Sequence, residues 1–147
     1  MCMTKPIIIL TGPTASGKSA LALFIAQEIN AVIINADSQQ IYREIPIITA
    51  QPSKEEQQQV PHKLYGTLSV AEHCTLGVWI DLVVNTIKEA HRNGQIPLLV
   101  GGTGMYIKAL TKGISEIPDI APDLRQEIRH LHQTIGQEAF YAKLKEI

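Results

Sequence analysis

Apolar residues fall along this chain in two patterns, short unbroken runs and longer stretches at helical spacing. Ile7 to Leu10 is a β-branched and aliphatic run that follows Pro6 and ends at Thr11-Gly12, and Val32 to Ile34 repeats it and stops at Asn35-Ala36-Asp37. Both runs predict short buried strands. Between them Leu21, Ala22, Ile25, Ala26 and Ile29 predict an amphipathic helix over Lys18 to Ile29. A strand, a helix and a strand within about thirty residues predict a parallel pair with a right-handed crossover. A second helix is expected over Leu76 to Asn93, with Val78, Trp79, Leu82, Val83, Ile87 and Ala90 on one broad face and Gly94 as its stop. Pro97 to Val100 predicts a third buried strand, and Gly101-Gly102-Thr103-Gly104 turns out of it into a helix ending near Lys112-Gly113.

Arg43 to Leu68 carries Pro46, Pro52, Pro61 and the polar run Lys54 to Gln59, so irregular chain or a short helix is expected there. Beyond Glu116 the character changes. Pro118, Asp119 and Pro122 break the pattern, and Asp123 to Thr134 and Glu138 to Ile147 predict two charged amphipathic helices. Strands alternating with helices of crossover length predict an α/β fold, a parallel sheet with flanking helices. Three identifiable strands are few for such a sheet.

With 147 residues, 45% hydrophobic and 18% charged, the chain can bury one sizeable core and is not disordered. Its longest apolar run, Ala20 to Ala26, has seven residues, against about eighteen for a membrane helix. Ile7 to Leu10 is too short for a secretory h-region, so no membrane association and a cytoplasmic location are expected. A net charge of −1 offers no argument for a polyanionic partner, although a local basic patch is compatible with a neutral total. Cys2 and Cys74 lack zinc-site spacing. His130 and His132, two apart on an expected helix, face different ways, so a metal site there is not expected.

Gly12-Pro13-Thr14-Ala15-Ser16-Gly17-Lys18-Ser19 fits G-x-x-x-x-G-K-[ST], the phosphate-binding P-loop, and lies between an expected strand and helix as that motif requires. Its glycines let the backbone wrap a phosphate with several N–H groups, and the following helix adds its positive dipole end. Lys18 supplies a compact cation, and the Ser19 hydroxyl is placed to ligate Mg²⁺. The motif names a diphosphate site, not a reaction. Asp37 comes just past the second strand's carboxyl end, where open parallel sheets bind ligands. It could hold magnesium or take a proton there, or Asp37 or Ser38 could cap the next helix. The three glycines of residues 101–104 allow close backbone approach to a ligand and Thr103 offers a hydroxyl, or the segment is simply a tight turn.

GPTASGKS (12–19), DSQQIY (37–42), Thr49-Ala50-Gln51-Pro52, Val60-Pro61-His62 and LVGGTGMYIK (99–108) stand in an order and spacing that resembles bacterial tRNA dimethylallyltransferases, the IPP transferase family. The resemblance covers about Pro6 to Arg125 and implies a P-loop NTPase-like sheet. It implies Mg²⁺-dependent transfer of a dimethylallyl group from dimethylallyl diphosphate to N6 of the tRNA adenosine 3′-adjacent to the anticodon, releasing diphosphate. By the same resemblance Gly12 to Ser19, above all Thr14 to Ser19, hold the donor diphosphate and Asp37 is the general base. Asp37, Ser38, Gln39, Gln40, Thr103 and Arg125 then contact tRNA, and the enzyme is a monomer. Residues 1–115 would be the P-loop core and 116–147 the start of a helical tRNA-binding insertion.

Several positions depart from the family pattern. Glu44 stands where a Gly is usual, Ile45-Pro46-Ile47-Ile48-Thr49 replaces Asp-Ile-Gly-Thr, Lys63 replaces a second His, and Thr67 to Val78 fits poorly. Family members are about twice as long, so the expectation is a chain truncated within the insertion. From Gly104 to Ile147 six Lys and Arg face six Asp and Glu, giving no basic surface for a polyanion. Such a chain is expected to bind donor weakly and not to complete the transfer unaided. Two other readings remain open. A small-molecule P-loop kinase shares the first motif but should carry an Arg-rich lid. An inactive diphosphate-binding remnant would need none of the remaining motifs.

Overall fold

The structure, a computed structural model, describes residues 5–114 and 120–146. The chain forms two compact units, Met1–Ile114 and Ser115–Ile147. Cys2, Glu116, Pro118, Asp119 and Ile147 lie outside the described residues.

In the first unit four strands, β1 (Ile8–Thr11), β2 (Ala31–Asn35), β3 (His62–Lys63) and β4 (Ile96–Gly101), form one sheet in the order β1-β4-β2-β3. All pairings are parallel, with Ile9 opposite Leu99 and Ile33 opposite both Leu98 and His62. Three helices connect them, α1 (Lys18–Glu28), α2 (Lys54–Gln59) and α3 (Leu76–Arg92), and α4 (Gly104–Lys112) follows β4. The expected strands and long helices are present with boundaries shifted by a residue or two. Strand pairing differs from expectation: β1 and β2 are not neighbours, because β4 lies between them. The fourth strand, β3, had no signal of its own, since its two residues pair with β2 only once Pro61 has delivered them to the edge, where Pro61 O accepts from Ile33 N at 2.9 Å.

Central β2 and β4 are buried on both faces, as parallel strands covered by crossover helices must be. On one face Val32, Ile34 and Leu99 pack with Trp79, Val83 and Ile87 of α3 and Tyr106 of α4. On the other Ala31, Ile33, Leu98 and Val100 pack with Ala22 and Ala26 of α1 and with Val60. α3 buries Trp79, Val83, Ile87 and Ala90 of its predicted face, while Val78 is 41% exposed. It starts at Thr75, whose hydroxyl accepts from Val78 N, and ends before Gly94 at φ 71°.

α1 is not the amphipathic helix the spacing predicts. It is apolar on several sides, and Ala22 and Ala26 are its buried residues, whereas Leu21 and Phe24 are 48% and 62% exposed. Small side chains let the helix lie close to the sheet, so the closest stripe is the one with least apolar bulk. Residues 43–68 carry the short helix expected there, α2, and in addition the two-residue strand β3. α2 has a capping box in which Ser53 Oγ accepts from Glu56 N and Glu56 accepts from Ser53 N.

In the second unit α5 (Pro122–Leu144) is broken at Gly136, where φ 79° and ψ 169° leave the helical region. It is therefore two arms, as the sequence predicts. The rings of His132 and Phe140 meet edge to face at 5.0 Å across the break.

Candidate active site

The P-loop closes on itself between β1 and α1. Ala15 (φ 61°) and Gly17 (φ 80°) adopt left-handed backbone, which curls residues 12–17 ahead of the first turn of α1. The Lys18 ammonium donates to Pro13 O at 2.5 Å and to Ser16 Oγ at 3.5 Å, so it lies over the loop it belongs to. Thr14 to Gly17 and Ser19 are exposed. Gly17 precedes α1 with no side-chain cap, so the helix's first amides have no side-chain acceptor there.

The turn after β2 stands beside this loop because two glycines permit it. A Cβ on Gly101 would overlap the Ala36 carbonyl group and lie 2.7 Å from Asp37 N. One on Gly102 would lie 3.3 Å from Gly12 O. The end of β4 thus touches both the Asp37 turn and the start of the P-loop. Ala36 N donates to Val100 O at 2.8 Å, Thr103 N to Ala36 O at 3.3 Å, and Ser38 N to Thr103 Oγ1 at 3.0 Å. Asp37 is half-buried, and its Oδ1 accepts from Gln39 N at 2.8 Å. P-loop, Asp37, Ser38, Gln39 and Thr103 therefore gather at the carboxyl edge of the sheet.

Two family models match the sequence, IPP transferase over residues 40–147 and isopentenyl transferase over residues 5–69. The chain belongs to the IPP transferase family. A tRNA dimethylallyltransferase of Rhodospirillum rubrum is 47% identical over 144 residues, covering 98% of this chain and 44% of that protein. One of Ehrlichia chaffeensis is 48% identical over 138 residues, covering 94% and 45%. Among solved structures, the full-length tRNA isopentenylpyrophosphate transferase of Bacillus halodurans superposes with a TM-score of 0.74 at 32% identity, over 97% of this chain and 48% of that one. A eukaryotic dimethylallyltransferase acting on tRNA gives 0.76 at 30% identity, over 85% and 32%. The chain thus spans less than half the length of these relatives, and its fold is the P-loop NTPase-like sheet they share.

Within this IPP transferase unit the remaining motif residues divide. Gln40 donates its amide to Thr49 O at 2.8 Å and Ala50 O at 3.0 Å and so ties the 45–51 loop to the Asp37 turn. His62 Nδ1 lies 2.8 Å from Val60 O and its ring meets Tyr65 at 5.6 Å. Burial holds the His62 imidazole below its usual range, against the opposing pull of the Val60 carbonyl and Glu56. Burial, helped by the charges of Asp37 and Glu56, raises the Tyr65 hydroxyl far above its usual range and keeps it protonated. Ser19, Pro52, Glu56, His62 and Tyr65 line one small cavity, so the segment around β3 reaches the P-loop. Arg125 belongs to the second unit, exposed on α5, where its amide donates to Ala121 O at 3.1 Å. The sequence reading missed Asn35, which is fully buried beneath Asp37. Its only sequence signal was a polar residue closing an apolar strand.

Proposed function

We propose that this chain carries the donor-binding and proton-accepting machinery of a tRNA dimethylallyltransferase, which moves a dimethylallyl group from dimethylallyl diphosphate to N6 of the adenosine 3′-adjacent to the anticodon. The observation that carries the reading is the contact of β4's glycines with both the P-loop and the Asp37 turn, which brings an anion-binding loop and a carboxylate to one edge. The adenine amino group is a weak nucleophile because its lone pair is delocalised into the ring, and it becomes acidic as the C–N bond forms. The Asp37 carboxylate, with Oδ1 held by Gln39 N, accepts that proton late in the step. Charge gathering on the leaving diphosphate would be met by the P-loop amides and by Lys18, whose ammonium rests on Pro13 O. Thr103, Ser38 and Gln39 stand beside Asp37, where a target base taken out of its stack would arrive.

Mg²⁺ fits the donors this site offers. Ser19 offers one hard oxygen, and among the described residues no group of three His, Cys, Asp or Glu is arranged to cage a metal. A cation that takes most of its ligands from phosphate oxygens and water suits such a site. Bound there, it would neutralise diphosphate charge.

Calorimetric titration with dimethylallyl diphosphate and ATP, with and without magnesium, tests the reading. Magnesium-dependent binding of the isoprenoid donor, weakened by Lys18→Ala, is expected. Binding of ATP with no binding of the donor would overturn it in favour of the kinase reading. For the chemical step, labelled donor, magnesium and unmodified tRNA are incubated with chain in excess. Label reaching tRNA and lost with Asp37→Asn supports the proton-accepting role, and equal label from Asp37→Asn would remove it.

A further inference from the structure

Asn35, the last residue of β2, is 0% exposed and is the one fully polar side chain among the described buried residues. A buried amide costs free energy unless its donors and acceptor are matched, and here the matches converge on one residue. Asn35 Oδ1 accepts from Asp37 N at 2.8 Å, while Nδ2 donates to Asp37 O at 2.9 Å and to Leu64 O at 3.0 Å. The carboxamide therefore grips Asp37 on both sides of its Cα, and Leu64 anchors the carboxamide to the segment after β3. From above, Gln39 N holds Asp37 Oδ1. Backbone and carboxylate of Asp37 are each tied down, the first from the core and the second from the turn.

We propose that Asn35 is a positioning residue for the Asp37 carboxylate, setting the direction from which it meets the target amine. The proposal rests on the reading of Asp37 as proton acceptor. The chemistry demands a side chain that donates and accepts at once in a dry site. Asp lacks the donor when ionised, and an isosteric Leu lacks both. Asn35 touches no reacting atom and acts only through Asp37.

The test compares the full chain with Asn35→Ala and Asn35→Asp by amide hydrogen exchange, read by NMR, and by single-turnover transfer from labelled dimethylallyl diphosphate to tRNA. Gln39 N–H is the informative probe, because it contacts Asp37 and not Asn35. With Asn35→Ala, exchange at Asp37 and Gln39 should rise by about tenfold or more, while Ile33 and Leu98 in the paired strands stay protected. Asn35→Asp keeps the acceptor for Asp37 N and should fall between. Transfer at saturating donor should slow by roughly tenfold to a hundredfold with donor affinity unchanged. The proposal is overturned by unchanged exchange at Gln39 or by an unchanged transfer rate. It is equally overturned by protection lost across both strands, or by failure of both variants to fold, which would make Asn35 a general folding residue. A wild-type chain that binds no donor counts against the functional reading instead, whereas one that binds donor and transfers nothing is the outcome expected of a chain less than half as long as its relatives. Exchange at Gln39 then still decides whether Asn35 holds Asp37.

Discussion

Lys18 bridges loop and ligand in the proposed site, and its ammonium already rests on the Pro13 carbonyl. Lys18→Ala should therefore leave the fold intact and weaken binding of dimethylallyl diphosphate by about 1.5 to 3 kcal/mol, the worth of a hydrogen bond to a charged group. Calorimetry reads that difference directly. In a complete, active enzyme that contains this unit, Asp37→Asn removes the proton acceptor while preserving shape, so transfer should slow by roughly 10² to 10⁴ with donor binding retained. Magnesium-dependent donor binding lost at a normal transfer rate would identify a metal ligand instead. Gly101 marks a third residue where geometry decides. A methyl group there collides with the Ala36 carbonyl rather than with a side chain that can swing aside. Gly101→Ala should cost about 1 to 3 kcal/mol in denaturant unfolding and disturb the Asp37 turn.

At the scale of elements, periodicity served α3 well and α1 poorly. α3 has a polar outer face, so its apolar stripe could point only one way, and Trp79, Val83, Ile87 and Ala90 are its buried residues. α1 has no such contrast, and the requirement that it lie close to the sheet selected Ala22 and Ala26. Ala26→Leu should accordingly destabilise the unit by about 1 to 3 kcal/mol through overpacking. Chemical denaturation checks this against Leu21→Ala, which should be nearly neutral because Leu21 is half exposed. The glutamine-rich stretch illustrates the opposite case. Ser53 and Glu56 stood in capping-box spacing, yet α2 has no buried residue and so left no hydrophobic signal.

For the molecule as a whole, pH acts through the half-buried imidazole of His62. Its folded-state pKa lies below the ordinary value of 6.5 because burial disfavours the charged form. The unfolded chain therefore binds the proton more readily, so this group's contribution to stability is full above its unfolded pKa and is lost as pH falls through the folded one. Melting temperature should drop as pH is lowered from above about 6.5, and His62→Asn should flatten part of that slope. A slope unchanged by the substitution would place the titration elsewhere.

Local structure was legible in the residues alone, the P-loop turn from its glycines and Lys18 and three strands from their aliphatic runs, whereas the place of Asp37 past a strand end left its role open between metal ligand, proton acceptor and helix cap. These signals are written in neighbours along the chain, where hydrogen bonding and solvation act over a few residues. What the sequence could not state was adjacency. That β4 separates β1 from β2, that two residues at His62–Lys63 complete the sheet, and that Gly101 admits the Asp37 turn all depend on segments far apart in sequence meeting in space. The same holds for Asn35, an unremarkable polar residue until Asp37 and Leu64 close over it. Its bonds to Asp37 span only two residues, but its burial and its bond to Leu64, 29 residues away, belong to the assembled sheet.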